Sequence, residues 1–252
     1  MRFASLGSGS KGNATLVEHE STRLLIDNGF PLAETGRRLA RLGLDADDLT
    51  AVLVTHEHSD HIRGVAALAR RQRLPVWMTA GTRLACQDNV PDIRLFSAHE
   101  PFVIESLQIS PFPVPHDARE PAQFVISDGQ RRCGLLTDVG RITAHIESML
   151  SGCHALILEC NHDSSLLAEG AYPWSLKQRI AGNQGHLSND QAAALLARLD
   201  CGQLQHIVAA HLSEQNNTAG HARAALSQAL DCTEEWIAVC DQQNGLSWRA
   251  IS

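Results

Sequence analysis

Short, strongly apolar runs recur along this chain, and polar residues close them. "TRLLIDNG" ends at Asp27, "TAVLVTH" at His56, "LQISPFPVPH" at His116 and "RRCGLLTDVG" at Asp138, while "HALILEC" carries Glu159 and "QHIVAAHLS" reaches His211. Together with "ATLVE", "LPVWMTA" and "AQFVISDG" these runs read as β-strands. Several are apolar almost throughout, the pattern of strands covered on both faces. "FVISDGQRRCGLL" reads as a hairpin turning at Asp128–Gly129. Helical patterns lie between the strands, over 32–42, 62–71, 142–150, 189–199 and 219–230, with Ser188 as an N-cap of the fourth. Many strands with interspersed helices predict sheets packed together and helices outside, in one domain over residues 1–252. If the strands run side by side, their polar closures share one rim, and rims of this kind are where sites are built.

The stretch "VLVTHEHSDHIRGV" crowds His56, Glu57, His58, Asp60 and His61 together straight after an apolar run. Protonated histidines this close repel one another. A cation held among neutral imidazoles and a carboxylate removes that difficulty; a solvated polar loop does not. In an extended loop His56 and His58 point the same way, and a helix starting near Ser59 turns Asp60 and His61 elsewhere. The spacing can therefore feed two neighbouring metal ions. Imidazole plus carboxylate suits Zn²⁺, Mn²⁺ or Fe, and the lack of a nearby cysteine disfavours a purely structural zinc.

Composition narrows the setting. The chain has 252 residues, 44% apolar and 19% charged, which is ordinary for a protein that buries a core. No apolar run approaches the ~20 residues needed to span a bilayer, and the N-terminus has no long apolar core of a signal peptide, so a cytoplasmic location without membrane contact is expected. The seven cysteines form no CxxC pair and read as reduced, mostly buried side chains. A net charge of −7 argues against a surface coated in positive charge for nonspecific nucleic-acid binding. It leaves room for a nuclease, because bound divalent ions add positive charge where a phosphate must sit.

"THEHSDH" resembles the HxHxDH signature of the metallo-β-lactamase fold superfamily, and that family's remaining motifs follow in order. The resemblance implies an α/β architecture, an αββα four-layer sandwich. It implies that Asp27 is an acid holding the histidine loop, that His56, His58 and His116 bind one metal, that Asp60, His61 and His211 bind a second, and that Asp138 bridges them. Two such cations lower the pKa of a shared water and grip the substrate oxygens as charge builds. The chain departs from flavodiiron proteins, which carry Glu where His58 stands, and from cysteine-ligand β-lactamases, since Thr137 and Val139 flank Asp138.

"LILECNHD" and "GHLSNDQAAALL" resemble segments of the ribonuclease Z group, where a glutamate and a histidine pair beside the metals. The matching residues are Glu159 and His186, which with Asp60 make up the implied catalytic set. His186 would protonate the leaving oxygen and Glu159 would orient its ring. The other reading makes Glu159 a buried strand-end acid and His186 a helix cap. "SLGSGSKGNATLVE", "YPWSLKQRI", "GHLSN" and "HLSEQNN" resemble the YycJ/WalJ-type branch, which implies a DNA exonuclease acting from the 5′ end. Ser8, Ser10 and Asn13 of "GSGSKGN" either donate to a substrate phosphate or shape a tight hairpin between the first two strands. Asn161, His162 and Asn216 either touch substrate or support their loops. A small-molecule hydrolase for a thioester, lactone or cyclic phosphodiester is the alternative enzyme. A metal-binding scaffold without turnover is the alternative from another class.

Overall fold

A computed structural model describes residues 1–252. The first sheet holds β1 (Arg2–Gly7), β2 (Ala14–His19), β3 (Thr22–Ile26), β4 (Ala51–Leu53), β5 (Val76–Met78) and β6 (Ile93–Leu95). The second holds β7 (Phe102–Ile104), β8 (Leu107–Pro113), β9 (Ala122–Ser127), β10 (Arg132–Leu136), β11 (Ala155–Glu159), β12 (His206–Ala210) and β13 (Ala238–Val239). The last strand, β14 (Leu246–Ala250), returns to the first sheet and pairs antiparallel with β1. The helices are α1 (Leu32–Arg41), α2 (Ser59–Ile62), α3 (Val65–Gln72), α4 (Ala80–Ala85), α5 (Ala144–Leu150), α6 (Ser164–Glu169), α7 (Trp174–Ile180), α8 (Asn189–Leu196) and α9 (Ala219–Leu230). No helix is long and apolar enough to cross a membrane.

The two-residue period of a strand builds the layers. Leu24, Ile26 and Leu53 point into the space between the sheets, where they meet Ile109, Phe124, Ile157 and Val208 of the second sheet. Their sequence neighbours Leu25, Val52 and Val54 point outward and pack on Leu39, Val65 and Leu68 of α1 and α3. On the other side, Leu156, Leu158 and Ile207 pack outward on α5, α8 and α9 through Ile146, Leu195 and Leu226. Three apolar cores thus separate four layers, the αββα sandwich. Runs apolar on both faces occur because both faces of each sheet are covered.

Strand direction puts the polar closures on one edge. In the first sheet β3 and β4 are parallel neighbours, so Asp27 and His56 leave at the same end. In the second sheet β10, β11 and β12 are parallel, which aligns Asp138, Glu159 and His211. Two antiparallel steps, β10 to β9 and β9 to β8, restore the direction and bring His116 to that edge as well.

Most elements fall where the pattern predicts them, including the hairpin between β9 and β10 and the Ser188 cap, whose hydroxyl accepts from the Gln191 amide at 3.2 Å. The continuous helix expected over 62–71 is instead split into α2 and α3. At the break, the Gly64 amide donates to Asn28 O at 2.8 Å, and a Cβ there would overlap the Phe30 carbonyl. The close approach of the loop after β3 bends the chain at that point. Strands β6, β7 and β13 span only two or three residues, too few for a period to show in the sequence.

Candidate metal centre

Three of the rim residues have left-handed backbones: Asp27 (φ 61°), Asp138 (φ 56°) and His211 (φ 56°). Each turns the chain sharply as its strand ends, which a non-glycine residue adopts only when its surroundings hold it there. For His211 they do so from both sides. Its amide donates to Ser8 Oγ at 2.9 Å and its carbonyl accepts from Asn161 Nδ2 at 3.1 Å.

The side chains converge in four overlapping groups, two of which join Asp138 to His56 and His61 and to Glu159, His186 and His211. Ligand atoms of His56, His58 and His116 lie within 4.8 Å of one another, and so do those of Asp60, His61 and His211. Asp138 belongs with both sides: His61 Nε2 stands 3.0 Å from its Oδ2 and His116 Nε2 stands 3.8 Å from its Oδ1. Glu57, in the middle of the cluster, turns away and accepts from the Arg119 amide at 2.8 Å.

Every ring is held from behind. His61 Nδ1 lies 2.8 Å from Asp27 Oδ2, His56 Nδ1 lies 2.9 Å from Thr55 Oγ1, and His116 Nδ1 lies 3.1 Å from Gly185 O. His58 Nε2 lies 3.2 Å from Asp117 O, and His211 Nδ1 lies 3.0 Å from Glu159 Oε1. Asp27 also receives the Thr55 amide and hydroxyl, both at 2.8 Å, so one carboxylate fixes the start of the histidine loop. Backing of this kind selects the tautomer and orients metal-ligating histidines. His56 Nε2 and His211 Nε2 are buried without a hydrogen bond inside the protein, and Asp138 Oδ2 has only the 3.0 Å approach of His61 Nε2. Orphaned buried polar atoms are rare, and these three belong to residues whose ligand atoms gather within 4.8 Å of their neighbours. The residues fit divalent-cation binding.

Residues 22–211 match the family model described as Beta-lactamase superfamily domain. The chain belongs to the β-lactamase superfamily. It is 36% identical to exodeoxyribonuclease YycJ of Bacillus anthracis over 92% of this chain and 89% of that protein. It is 32% identical to exodeoxyribonuclease WalJ of Streptococcus pneumoniae over 86% of this chain and 83% of that protein. Among solved structures, the metallo-β-lactamase fold protein YhfI of Bacillus subtilis superposes with a TM-score of 0.76 at 15% identity, covering 96% of this chain and 97% of that one. That likeness is one of fold.

In this superfamily member, burial and charge oppose each other at the centre. Burial lowers the pKa of His61, but Asp138 and Asp27 more than reverse it and push it well above the usual histidine range. Burial is likewise outweighed at His211, where Asp138, Asp60 and Glu159 raise it to about 10. Burial and the neighbouring His61 drive His56 well below its ordinary value. Burial should raise the Asp138 carboxyl, yet His211 and His61 hold it well below. Counting protein groups alone, the acids draw protons onto two imidazoles; cations bound there would replace those protons.

Glu159 is fully buried and saturated. Its Oε1 accepts from the Asp138 amide at 3.0 Å and lies 2.9 Å from His186 Nδ1, while Oε2 accepts from the amides of Val139 and Leu187 at 3.1 and 2.9 Å. Burial raises this carboxyl, but His186 and His211 bring it to about 2. The cap of α8 is Ser188, not His186. His186 instead lines a cleft of about 430 Å³ together with His58, Asp60, His116, Asp138 and His211.

The proposed substrate contacts divide. Ser10 and Asn161 line the cleft. Ser8 and Asn13 are buried and engaged by the protein: Ser8 Oγ donates to Asn13 Oδ1 at 3.1 Å, and Asn13 Nδ2 reaches Asp60 Oδ2 at 3.3 Å and His61 Nε2 at 3.1 Å. The "GSGSKGN" turn therefore braces the ligand loops. Lys11, at its tip, pairs with Glu214 at 2.7 Å. Asn216 is buried with its amide on Ser213 Oγ at 3.4 Å, and His162 is buried with Nδ1 at 3.3 Å from Asn161 Oδ1. The cleft also takes Asp117, Tyr172, Leu176 and Arg179, none of which stood out in sequence. Only adjacency to His116 marked Asp117, and only the "YPWSLKQRI" segment marked the others.

Proposed function

We propose that this protein is a metal-dependent phosphodiesterase, a DNA exonuclease that works from the 5′ end with two divalent ions. One observation carries the reading. A cage of back-braced ligands, with orphaned polar atoms at its front, adjoins the His186–Glu159 pair in a single cleft. The two bacterial relatives named exodeoxyribonucleases, similar over most of this chain, support DNA as the substrate.

His56, His58 and His116 would hold one ion, Asp60, His61 and His211 the other, with Asp138 between them. Nitrogen and carboxylate donors of this kind suit Zn²⁺ or Mn²⁺, and iron also fits. Divalent ions held there supply Lewis acidity, acidifying water and offsetting charge on the phosphoryl oxygens. The remaining chemistry belongs to the chain. Glu159 takes His186 Nδ1, so the ring presents Nε2 to the cleft. Burial lowers the His186 pKa, but Glu159 outweighs it and raises the group above 6.5. The pair therefore favours the protonated ring, which can deliver its Nε2 proton to the departing oxygen. Asp27 and Thr55 keep the histidine loop from turning during this step.

A cleft of about 430 Å³ also lies within the range of small-molecule sites, which favours a thioester, lactone or cyclic phosphodiester as the second reading. The deciding experiment uses chelator-stripped protein reloaded with Zn²⁺ or Mn²⁺. It compares 5′- and 3′-labelled single- and double-stranded DNA, bis-(p-nitrophenyl) phosphate and a thioester. Mononucleotides released from the 5′ end are expected; turnover of the thioester alone would defeat the proposal.

A further inference from the structure

Helix α7 stands between two hollows. Tyr172, just before it, and Leu176 and Ile180, four residues apart, line the catalytic cleft. The next face of the helix, with Gln178 and Arg179, lines a second groove of about 620 Å³ whose side chains are polar apart from Pro115. Asp117, Arg179 and Gly185 line both hollows, so the two adjoin. The groove's other cation is Arg141, which is exposed and has no ion pair or hydrogen bond. Its acid, Asp117, is already matched by Arg179 Nε at 2.7 Å, and the terminal nitrogens of that guanidinium make no bond within the protein. In a chain of net charge −7 this is a local excess of unneutralised arginine, beside uncharged Gln178, Asn183 and Gln184.

The groove floor is tied to the catalytic loops. The Asp117 amide donates to Gln184 O at 3.0 Å, the Gly140 amide to Pro115 O at 2.8 Å, and the His186 amide to Ile180 O at 2.8 Å. A Cβ on Gly140 would overlap the backbone of Asn183–Gly185, so the loop after Asp138 lies flat against the groove wall. Anything seated in the groove is therefore held in register with His116, Asp138 and His186.

We propose that this second groove is a strand-exit subsite. Phosphates of a single strand lie along Arg179 and Arg141, while the base of the nucleotide under attack rests against Tyr172, Leu176 and Ile180. Guanidinium donors match phosphate oxygens, and an aromatic ring accepts any base. The inference rests on a nucleic-acid substrate and adds where the strand runs.

The test measures binding of a 3′-fluorescein, phosphorothioate-protected 12-mer to the metal-loaded protein by anisotropy across a salt series. Each of Arg141→Ala and Arg179→Ala should flatten the plot of log Kd against log salt by about 0.7, the loss of one single-strand phosphate contact. Arg141→Glu should reduce kcat/KM for the unprotected 12-mer by at least tenfold more than for bis-(p-nitrophenyl) phosphate. Melting temperatures confirm that each variant is folded; Arg141, which bonds to nothing, carries the result if releasing Asp117 disturbs the Arg179 variant. Wild-type slopes in the Arg141 variants would overturn the subsite while leaving the exonuclease standing. A wild-type protein that neither binds nor cleaves the 12-mer would overturn both.

Discussion

Glu159 Oε1 stands 2.9 Å from His186 Nδ1 and, through the same oxygen, 3.0 Å from His211 Nδ1. One buried anion thus orients an imidazole proposed to bind metal and the imidazole proposed to move a proton. The two roles separate by mutation. His186→Ala should lower kcat on DNA by roughly 10²–10³-fold while bound metal, read by elemental analysis, is unchanged. A variant with the wild-type rate would remove His186 as proton donor.

Glu159→Gln should be a stability mutation as well. An amide must turn its NH₂ either toward the Asp138 amide and two imidazoles or toward the amides of Val139 and Leu187, which are donors. Opposed donors in a fully buried site cost about 2–4 kcal/mol. Denaturant unfolding with a midpoint equal to the wild type's would contradict the hub role.

Asp27→Ala leaves all seven proposed ligands in place and removes only the brace on His61 Nδ1 and Thr55. Metal affinity should fall by roughly 10–100-fold, measured by competition with a chromophoric chelator. Unaltered affinity would show that the loop holds its shape without the acid.

Metal occupancy should appear in both stoichiometry and melting. The wild type is expected to bind two equivalents of Zn²⁺ or Mn²⁺, and Asp60→Ala about one. Saturation at 100 times Kd should stabilise the fold by about 2.7 kcal/mol for each ion bound. A chelator that leaves the melting temperature untouched speaks against a metal-loaded native state.

Away from the centre, acid stability has a local source. Burial raises the Asp128 carboxyl, but amide donation from Arg131 and Gln130 and the Arg131 guanidinium outweigh it and hold it at about 2, below its ordinary 3.8. Because the folded value is the lower one, the stabilisation is full above pH ~4 and is lost as pH falls toward 2. Asp128→Asn should remove about 1–2 kcal/mol at neutral pH and flatten the stability profile between pH 4 and 2. A wild-type slope in that window would place the acid sensitivity elsewhere.

Much of the fold was legible because it is local. The unbroken apolar runs in "TRLLIDNG" and "HALILEC" encode strands covered on both faces, and Asp128–Gly129 encodes a turn. Where a partner came from elsewhere in the chain, local reading failed. Gly64 breaks a helix only because the loop after β3 presses on it. Ser8 and Asn13 read in isolation either as phosphate donors or as parts of a tight hairpin; β1 and β2 do pair antiparallel around that turn, and only the fold shows that Asn13 also braces Asp60 and His61.

The sequence by itself determined which residue types close which strands, and so the inventory of imidazoles and carboxylates at the rim. Only the tertiary structure decided which ring nitrogen faces inward, which polar atoms are left without partners, and that Arg141 and Arg179 share a groove beside the cleft. The physical reason is distance along the chain. Strand periodicity is set by neighbours two residues apart, whereas the bond from the His211 amide to Ser8 joins groups 203 positions apart and exists only when both sheets are packed.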